Sequence, residues 1–436
     1  MDTLLSLPDE ALLAVLALLP PRELFRCRVV CRRLRDICLH PALWKNVKLR
    51  KAGMIRAALA LAPCLASIRR PEALSMRALA SHVLSTACVV EMLDSDVCAS
   101  DEVPYAISIF LKLSALGGLK ELSLFFGDDL QEETPLLLKA IYNLSLQTLD
   151  IAYYGGGSLP PLPASWCDVE VGPSLTHLDY RSRRVDPFLE LLLRTHAETL
   201  EVVDLRRTKN IPVALLSKMP RLRCLRCVPI NDLMQLVAVP NLQSLELICV
   251  RNLSAFLHDV ESFLCVVSQL RRVKLELEDR SIPTDAFLLA LSRSPSAPIL
   301  EALTVKGLIG SLRPVTFIPA EFLSLQCLHL GLVPSDEMLR SVSPTSLPSL
   351  TTLTVEAPRD TCLHSWLHYP AVQDVLLRNK GLHLRVSRSK APEDCACPWC
   401  RWGCHVPLGC DFSFSAHARR AGCPVKCLQV VHPVTL

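Results

Sequence analysis

The chain is poor in several features that mark well-known protein classes. Aromatic residues make up 5% of its 436 positions, and glycine occurs 15 times. Charged residues stand at 21%, a little under the about 25% of an average globular protein. Half of the residues are apolar, so the low charge excludes a disordered or collagen-like chain. No phosphate-binding glycine loop, no G-x-S-x-G and no H-E-x-x-H occurs, which leaves catalysis without a motif. An excess of positive charge is also missing outside the N-terminus. Residues 1–50 hold nine basic and five acidic residues, and the rest holds 38 of each. A nucleic-acid binder carries a basic stripe, so nucleic acid is not an expected partner. Long apolar runs are absent as well. Ala11–Leu19 is nine residues, against about 20 for a membrane span. Asp2, Asp9 and Glu10 precede it and no Lys or Arg does, which argues against a secretory leader. Most of the 20 cysteines lie singly among leucines, as buried thiols of a reduced protein do. Cytoplasm or nucleus is the expected location, with no membrane contact.

What the chain has is leucine at regular intervals. Residues 4–50 read as a compact helical unit. Leu7-Pro8-Asp9-Glu10 is a turn with acidic residues at a helix start, which suits the helix dipole. Leu12, Val15, Leu16 and Leu19 follow at helical spacing, and Pro20-Pro21 stops that helix. A second helix starts near Arg22-Glu23 and ends at His40-Pro41, and Leu43, Trp44, Val47 and Leu49 close the segment.

The order of these signals resembles the F-box family: Leu-Pro, an apolar helix, a Pro-x-x-Leu joint, Val-Cys-Arg, then Pro-x-Leu-Trp. Leu34 stands where the family often has Trp. The resemblance implies a module that docks a Skp-type adaptor and, through it, the cullin scaffold and RING subunit of an SCF-type ubiquitin ligase. Leu7, Pro8, Leu12, Leu16 and Leu24 match the family's adaptor-facing positions, and Val30 and Leu43 join them. So small a unit is expected to leave such leucines exposed. The six arginines from Arg22 to Arg35 alternate with apolar residues, and read as a basic helix face for an acidic adaptor.

From about residue 60 to 386 the pattern L-x-x-L-x-L recurs, with Val, Ile, Cys or Tyr as substitutes. Ten copies start at Leu119, Leu146, Leu175, Leu200, Leu222, Leu242, Leu270, Leu300, Leu325 and Leu350. Successive starts lie 20 to 30 residues apart, close to the leucine-rich-repeat range of 20–29. Weaker starts lie near Leu65 and Val89, and a degraded one at Leu382-His383-Leu384. Each unit reads strand, turn, helix. The expected fold is α/β: an N-terminal helical module over 1–50, a leucine-rich-repeat solenoid over 51–387 with parallel strands inside and helices outside, and a Cys-rich tail or cap over 388–436. The ninth positions hold Gly127, Thr208, Ile230 and Val250 rather than the usual Asn, which predicts an irregular horseshoe.

Along such a strand the first, fourth and sixth positions pack inward, so the fifth and seventh face outward. The fifth positions include Asp150, Asp179, Asp204, Arg226, Glu246 and Lys274, and the seventh include Arg181 and Arg206. Asp150, Asp179, Asp204, Arg181, Arg206 and Arg226 are the candidate residues for binding a protein target. In the tail, Cys397-Pro-Trp-Cys400 and the Cys423/Cys427 pair are candidate ligands of a structural zinc. Reduced cysteines in a capping tail, with no cofactor, are the leading reading. Together these features point to a non-catalytic substrate receptor of a ubiquitin ligase. A leucine-rich-repeat binding or inhibitor module outside a ligase is the alternative.

Overall fold

The computed structural model describes residues 7–127, 130, 132–153, 172–182, 185–209, 211–249, 256–277, 284–307, 318–331, 334–356, 366, 369–387 and 413–416. The chain divides into two compact units, 1–215 and 216–436. The division falls inside the stretch read as repeats.

The first unit opens with four short helices, α1 (Asp9–Leu16), α2 (Pro21–Cys27), α3 (Arg32–Ile37) and α4 (Pro41–Trp44). Prolines set their limits: Pro21 and Pro41 occupy helix starts, where a missing N–H costs nothing. Trp44 is fully buried, and its indole N–H donates to the Cys38 carbonyl at 2.8 Å. The Phe25 ring lies 4.9 Å from it. The helices run into β1 (Lys48–Leu49), which pairs in parallel with β2 (Cys64–Arg69).

Strands and helices then alternate. β3 (Val89–Val97), β4 (Glu121–Phe126), β5 (Thr148–Tyr153), β6 (His177–Arg181) and β7 (Val202–Leu205) follow. Each pairs in parallel with the one before it. Between them lie α5 (Ala52–Leu61), α6 (Met76–Leu84), α7 (Val103–Ala115), α8 (Thr134–Tyr142) and α9 (Pro187–Thr195). The register stacks like on like: Leu122 opposes Leu149, Leu149 opposes Leu178 and Leu178 opposes Val203. All four are buried. The helices cover this core with apolar residues at helical spacing, as Val103, Ala106, Ile109, Phe110 and Leu113 of α7 do. After α7 the chain needs two glycines. Gly117 has φ +75°, the left-handed conformation that ends many helices. A Cβ on Gly118 would stand 2.2 Å from Val89 Cγ1.

The second unit repeats the scheme with β8 (Cys224–Cys227), β9 (Ser244–Cys249), β10 (Arg272–Leu277), β11 (Ala302–Gly307), β12 (Cys327–Gly331), β13 (Thr352–Glu356) and β14 (His383–Ser387), all parallel. Helices Leu257–Val266, Thr284–Ser292, Asp336–Ser341 and Pro370–Arg378 lie between strands. β15 (Ser413–Ala416) pairs with β14 in the antiparallel sense. The rest of the Cys-rich tail lies outside the described residues.

All ten repeat starts precede strands β4 to β13 by two residues, and the weaker starts fall at β2, β3 and β14. An apolar residue returns eleven positions after several repeat starts, and Leu130, Ile211 and Leu233 of these are buried; Leu253 lies outside the described residues. Of the ninth-position residues, Thr208 is buried and its hydroxyl donates to the Tyr180 carbonyl at 3.2 Å. No helix among the described residues is long and apolar enough to cross a membrane.

Several polar groups inside the first unit are matched individually. Tyr180 occupies a sixth position, and its hydroxyl donates to the Asp186 carboxylate at 2.8 and 2.9 Å. Asp186 Oδ1 also accepts the Leu189 N–H at 2.9 Å and so caps α9. His196 is buried, and its Nδ1 accepts the N–H groups of Ser174 and Leu175 at 3.1 and 3.4 Å. Burial pushes its pKa from 6.5 down to about 4. The unfolded chain therefore takes up the proton first as pH falls. The stability held by neutral His196 is complete above pH 6.5 and is lost between about 6.5 and 4, roughly 3 kcal/mol in all. The expected outcome is that His196→Asn flattens this acid loss for the first unit. Urea midpoints at pH 7, 5.5 and 4 measure it.

Candidate docking surfaces

The N-terminal helices sort their apolar residues into two sets. Leu12, Leu16 and Leu24 are at most 3% exposed, and Leu43 is buried with them. They share a core with Leu34, Ile37, Cys38 and Trp44. Four of the seven residues assigned to an adaptor face are thus buried, where exposure was expected. The i, i+4 spacing of Leu12 and Leu16 marks one face of α1, and the unit uses that face for its own core. The solvent-facing apolar residues are Val15, Leu18, Val29 and Val30, at 42, 83, 84 and 69% exposure. Val30, one of the residues assigned to an adaptor face, is among them. Leu7 is half-buried and Pro8 exposed. The Arg33 guanidinium pins this entry, donating to the Leu7 carbonyl at 2.7 Å and pairing with Asp9.

In the first unit, register places fifth-position residues side by side: Asp94, Ser123, Asp150, Asp179 and Asp204. Carboxylates one strand apart, about 4.8 Å, repel unless cations intervene. Arg181, on the seventh position of β6, supplies one. Its guanidinium meets Asp150 at 2.8 Å and Asp179 at 3.1 Å. Arg206 pairs with Asp204 at 2.8 Å, and Arg69 with Asp94 at 3.1 Å. Ser123 donates to Asp150 at 3.1 Å. The Asp150 pKa is nevertheless raised, first by burial and then by Asp179, with Arg181 opposing. The five candidate residues of this unit therefore lie on neighbouring strands, as an Asp150–Arg181–Asp179 cluster and an Asp204–Arg206 pair.

In the second unit Arg226, Glu246 and Lys274 are neighbours on successive strands. Glu246 is nearly buried and is held by Arg226 at 3.4 Å and by Lys274. Lys274 also reaches Glu276 at 3.1 Å. Further along the row, burial and the cations Lys306 and Lys274 push the His329 pKa down to about 4.

Asp94 and Asp96 were missed in the sequence because β3 conceals its repeat. Its inward positions are Val90, Leu93 and Ser95, with a serine where an apolar residue is expected. The serine has a reason. Arg70, just beyond β2, donates to Ser95 Oγ at 3.2 Å, to the Leu74 carbonyl at 3.2 Å and to the Asp96 carbonyl. Cys397, Cys400, Cys423 and Cys427 lie outside the described residues. Among the described residues no group of three or more metal-ligating side chains is arranged to hold an ion.

Residues 4–50 match the family model described as F-box-like, so the N-terminal segment is an F-box-like domain. No curated protein matches the chain.

Two outcomes follow from this geometry. Leu12→Ala is expected to destabilise the first unit by about 3 kcal/mol, as other buried leucine truncations do, readable in its urea midpoint. Arg181→Ala is expected to cost about 1 kcal/mol, more in low salt than in 0.5 M NaCl, because it leaves two carboxylates adjacent. Adding Asp150→Asn and Asp179→Asn is expected to restore most of that loss.

Proposed function

We propose that this chain is the substrate-recognition subunit of an SCF-type ubiquitin ligase. Residues 4–50 dock a Skp-type adaptor, which links the chain to the cullin scaffold and RING subunit in the cytoplasm or nucleus. The strands and helices that follow are leucine-rich repeats, and their fifth- and seventh-position faces receive a protein target. The F-box-like domain is the observation that carries this reading. The exposed apolar side chains Val15, Leu18, Val29 and Val30 support it, since they are available to a partner. The adjoining arginines suit an acidic adaptor. The chain would supply no reacting group. Its contribution is positional: a target lysine held beside a conjugated ubiquitin reacts at a raised effective concentration.

The test is co-purification of adaptor, cullin and RING subunit with the tagged full chain. Leu18→Asp combined with Val30→Asp is expected to weaken adaptor binding at least tenfold, with the melting temperature nearly unchanged because both side chains face solvent. A full chain that retains no adaptor would make it a repeat-based binding module outside any ligase.

A further inference from the structure

The strand face of the second unit changes character along its length. At β8 to β10 its charges answer one another: Arg226 and Lys274 hold Glu246, and Lys274 also holds Glu276. From β11 onward they do not. Lys306 occupies the seventh position of β11, between Glu276 and Gly331. A Cβ on Gly331 would stand 3.1 Å from Lys306 Cγ, so the lysine stem lies against a residue with no side chain to pair with it. The fifth-position row alongside runs Lys274, Thr304, His329, Thr354 and Arg385. Thr304, His329 and Thr354 are half-buried, and Arg385 is exposed. Among the described residues no carboxylate is paired with Lys306 or Arg385, and the His329 ring makes no hydrogen bond. At the outward positions of β8 to β14 the cations Arg226, Arg272, Lys274, Lys306 and Arg385 stand against the acidic residues Glu246, Glu276 and Glu356. At the strand entrances Arg271 pairs with Glu301, and Arg223 lies before β8. The Glu356 side chain lies outside the described residues. The surplus positive charge falls at β11 to β14.

We infer that the protein target presents an extended acidic segment to this face, laid across β11 to β14 with one carboxylate at Lys306 and a second at Arg385. The inference rests on the reading of the strand faces as target-binding. The occupant follows from the chemistry of the site. The two cations stand three strands apart, about 14 Å, which an extended peptide covers in about four residues. Thr304, His329 and Thr354 lie between them in the row. Burial, Lys306 and Lys274 hold the His329 pKa at about 4, so its ring is neutral at pH 7, and one ring nitrogen donates. That N–H and the two hydroxyls are donors for the same carboxylates or for the backbone between them. An apolar segment would desolvate Lys306 without a partner, which is costly. A basic segment would meet the surplus cations with the wrong sign. A nucleic acid requires a longer basic stripe than this face carries.

The test selects phage-displayed random dodecapeptides on the immobilised full chain, then measures the affinity of the synthesised winners. Lys306→Met and Arg385→Gln serve as variants, with thermal melts confirming that both fold. Lys139→Gln, on the exposed side of α8, removes the same charge elsewhere and is the control. The expected result is a pair of Asp or Glu residues three to five positions apart in the selected peptides. Binding should fall tenfold or more with either variant and stay unchanged with the control. Replacing one acidic residue of the pair by Gln should cost as much, and Lys306→Met should then add no further loss for one of the two replacements. Peptides without a shared acidic residue, peptides that bind wild type and both variants alike, or a selection that enriches nothing would overturn the inference. If the selected peptides instead lose binding with Asp179→Asn or Arg226→Ala, the strand faces remain docking surfaces and only the Lys306 and Arg385 assignment fails. If none of these substitutions matters, the reading of the strand faces fails too.

Discussion

The structure depends on parallel strands held in matched register. Once each backbone is bonded to its neighbour at the same repeat position, side chains of one position form columns. Leu122, Leu149, Leu178 and Val203 are such a column in the first unit. Leu245, Leu225 and Val273 lie in one in the second. The pleat then sends the fifth and seventh positions to the opposite face, whatever residues occupy them. The burial that holds the fold together and the concentration of charge on the other face are consequences of one geometry. Carboxylates at a shared position cannot avoid each other, so cations on the same or the next strand become structural necessities. Arg181 and Lys274 each answer two carboxylates.

The same register makes any polar residue at an inward position expensive, and the chain meets that cost locally. Tyr180 brings a hydroxyl into the core, and the loop after β6 returns Asp186 to accept it and to begin a helix. Ser95 brings another, and Arg70 comes in beside it with three further acceptors within reach of its guanidinium or close by. These are paired departures: neither partner would be tolerable alone in an apolar column.

The repeat was legible because its signal is a spacing, and spacing survives replacement of Leu by Val, Ile, Cys or Tyr. It faded at β2 and β3, where Arg70 and Ser95 break the apolar pattern together and the compensation lies in three dimensions. The F-box-like segment was legible for a different reason, the order of several separated signals. The orientation of its leucines was not. Helical spacing identifies a face, but says nothing of whether that face looks toward the unit's own core or toward a partner. Trp44 lies in that core beside Phe25 and donates to the Cys38 carbonyl. The charge network was legible as a list of positions. That Arg181 bridges two strands follows only from the register.

The antiparallel strand β15 lies beside β14, the last of the parallel series among the described residues. A parallel ladder ends in a row of open backbone donors and acceptors, a template for any passing extended chain. Four residues from the cysteine-rich tail occupy that row here. Among the described residues the parallel series therefore ends on a strand that runs the other way, drawn from the same chain, rather than on a further repeat.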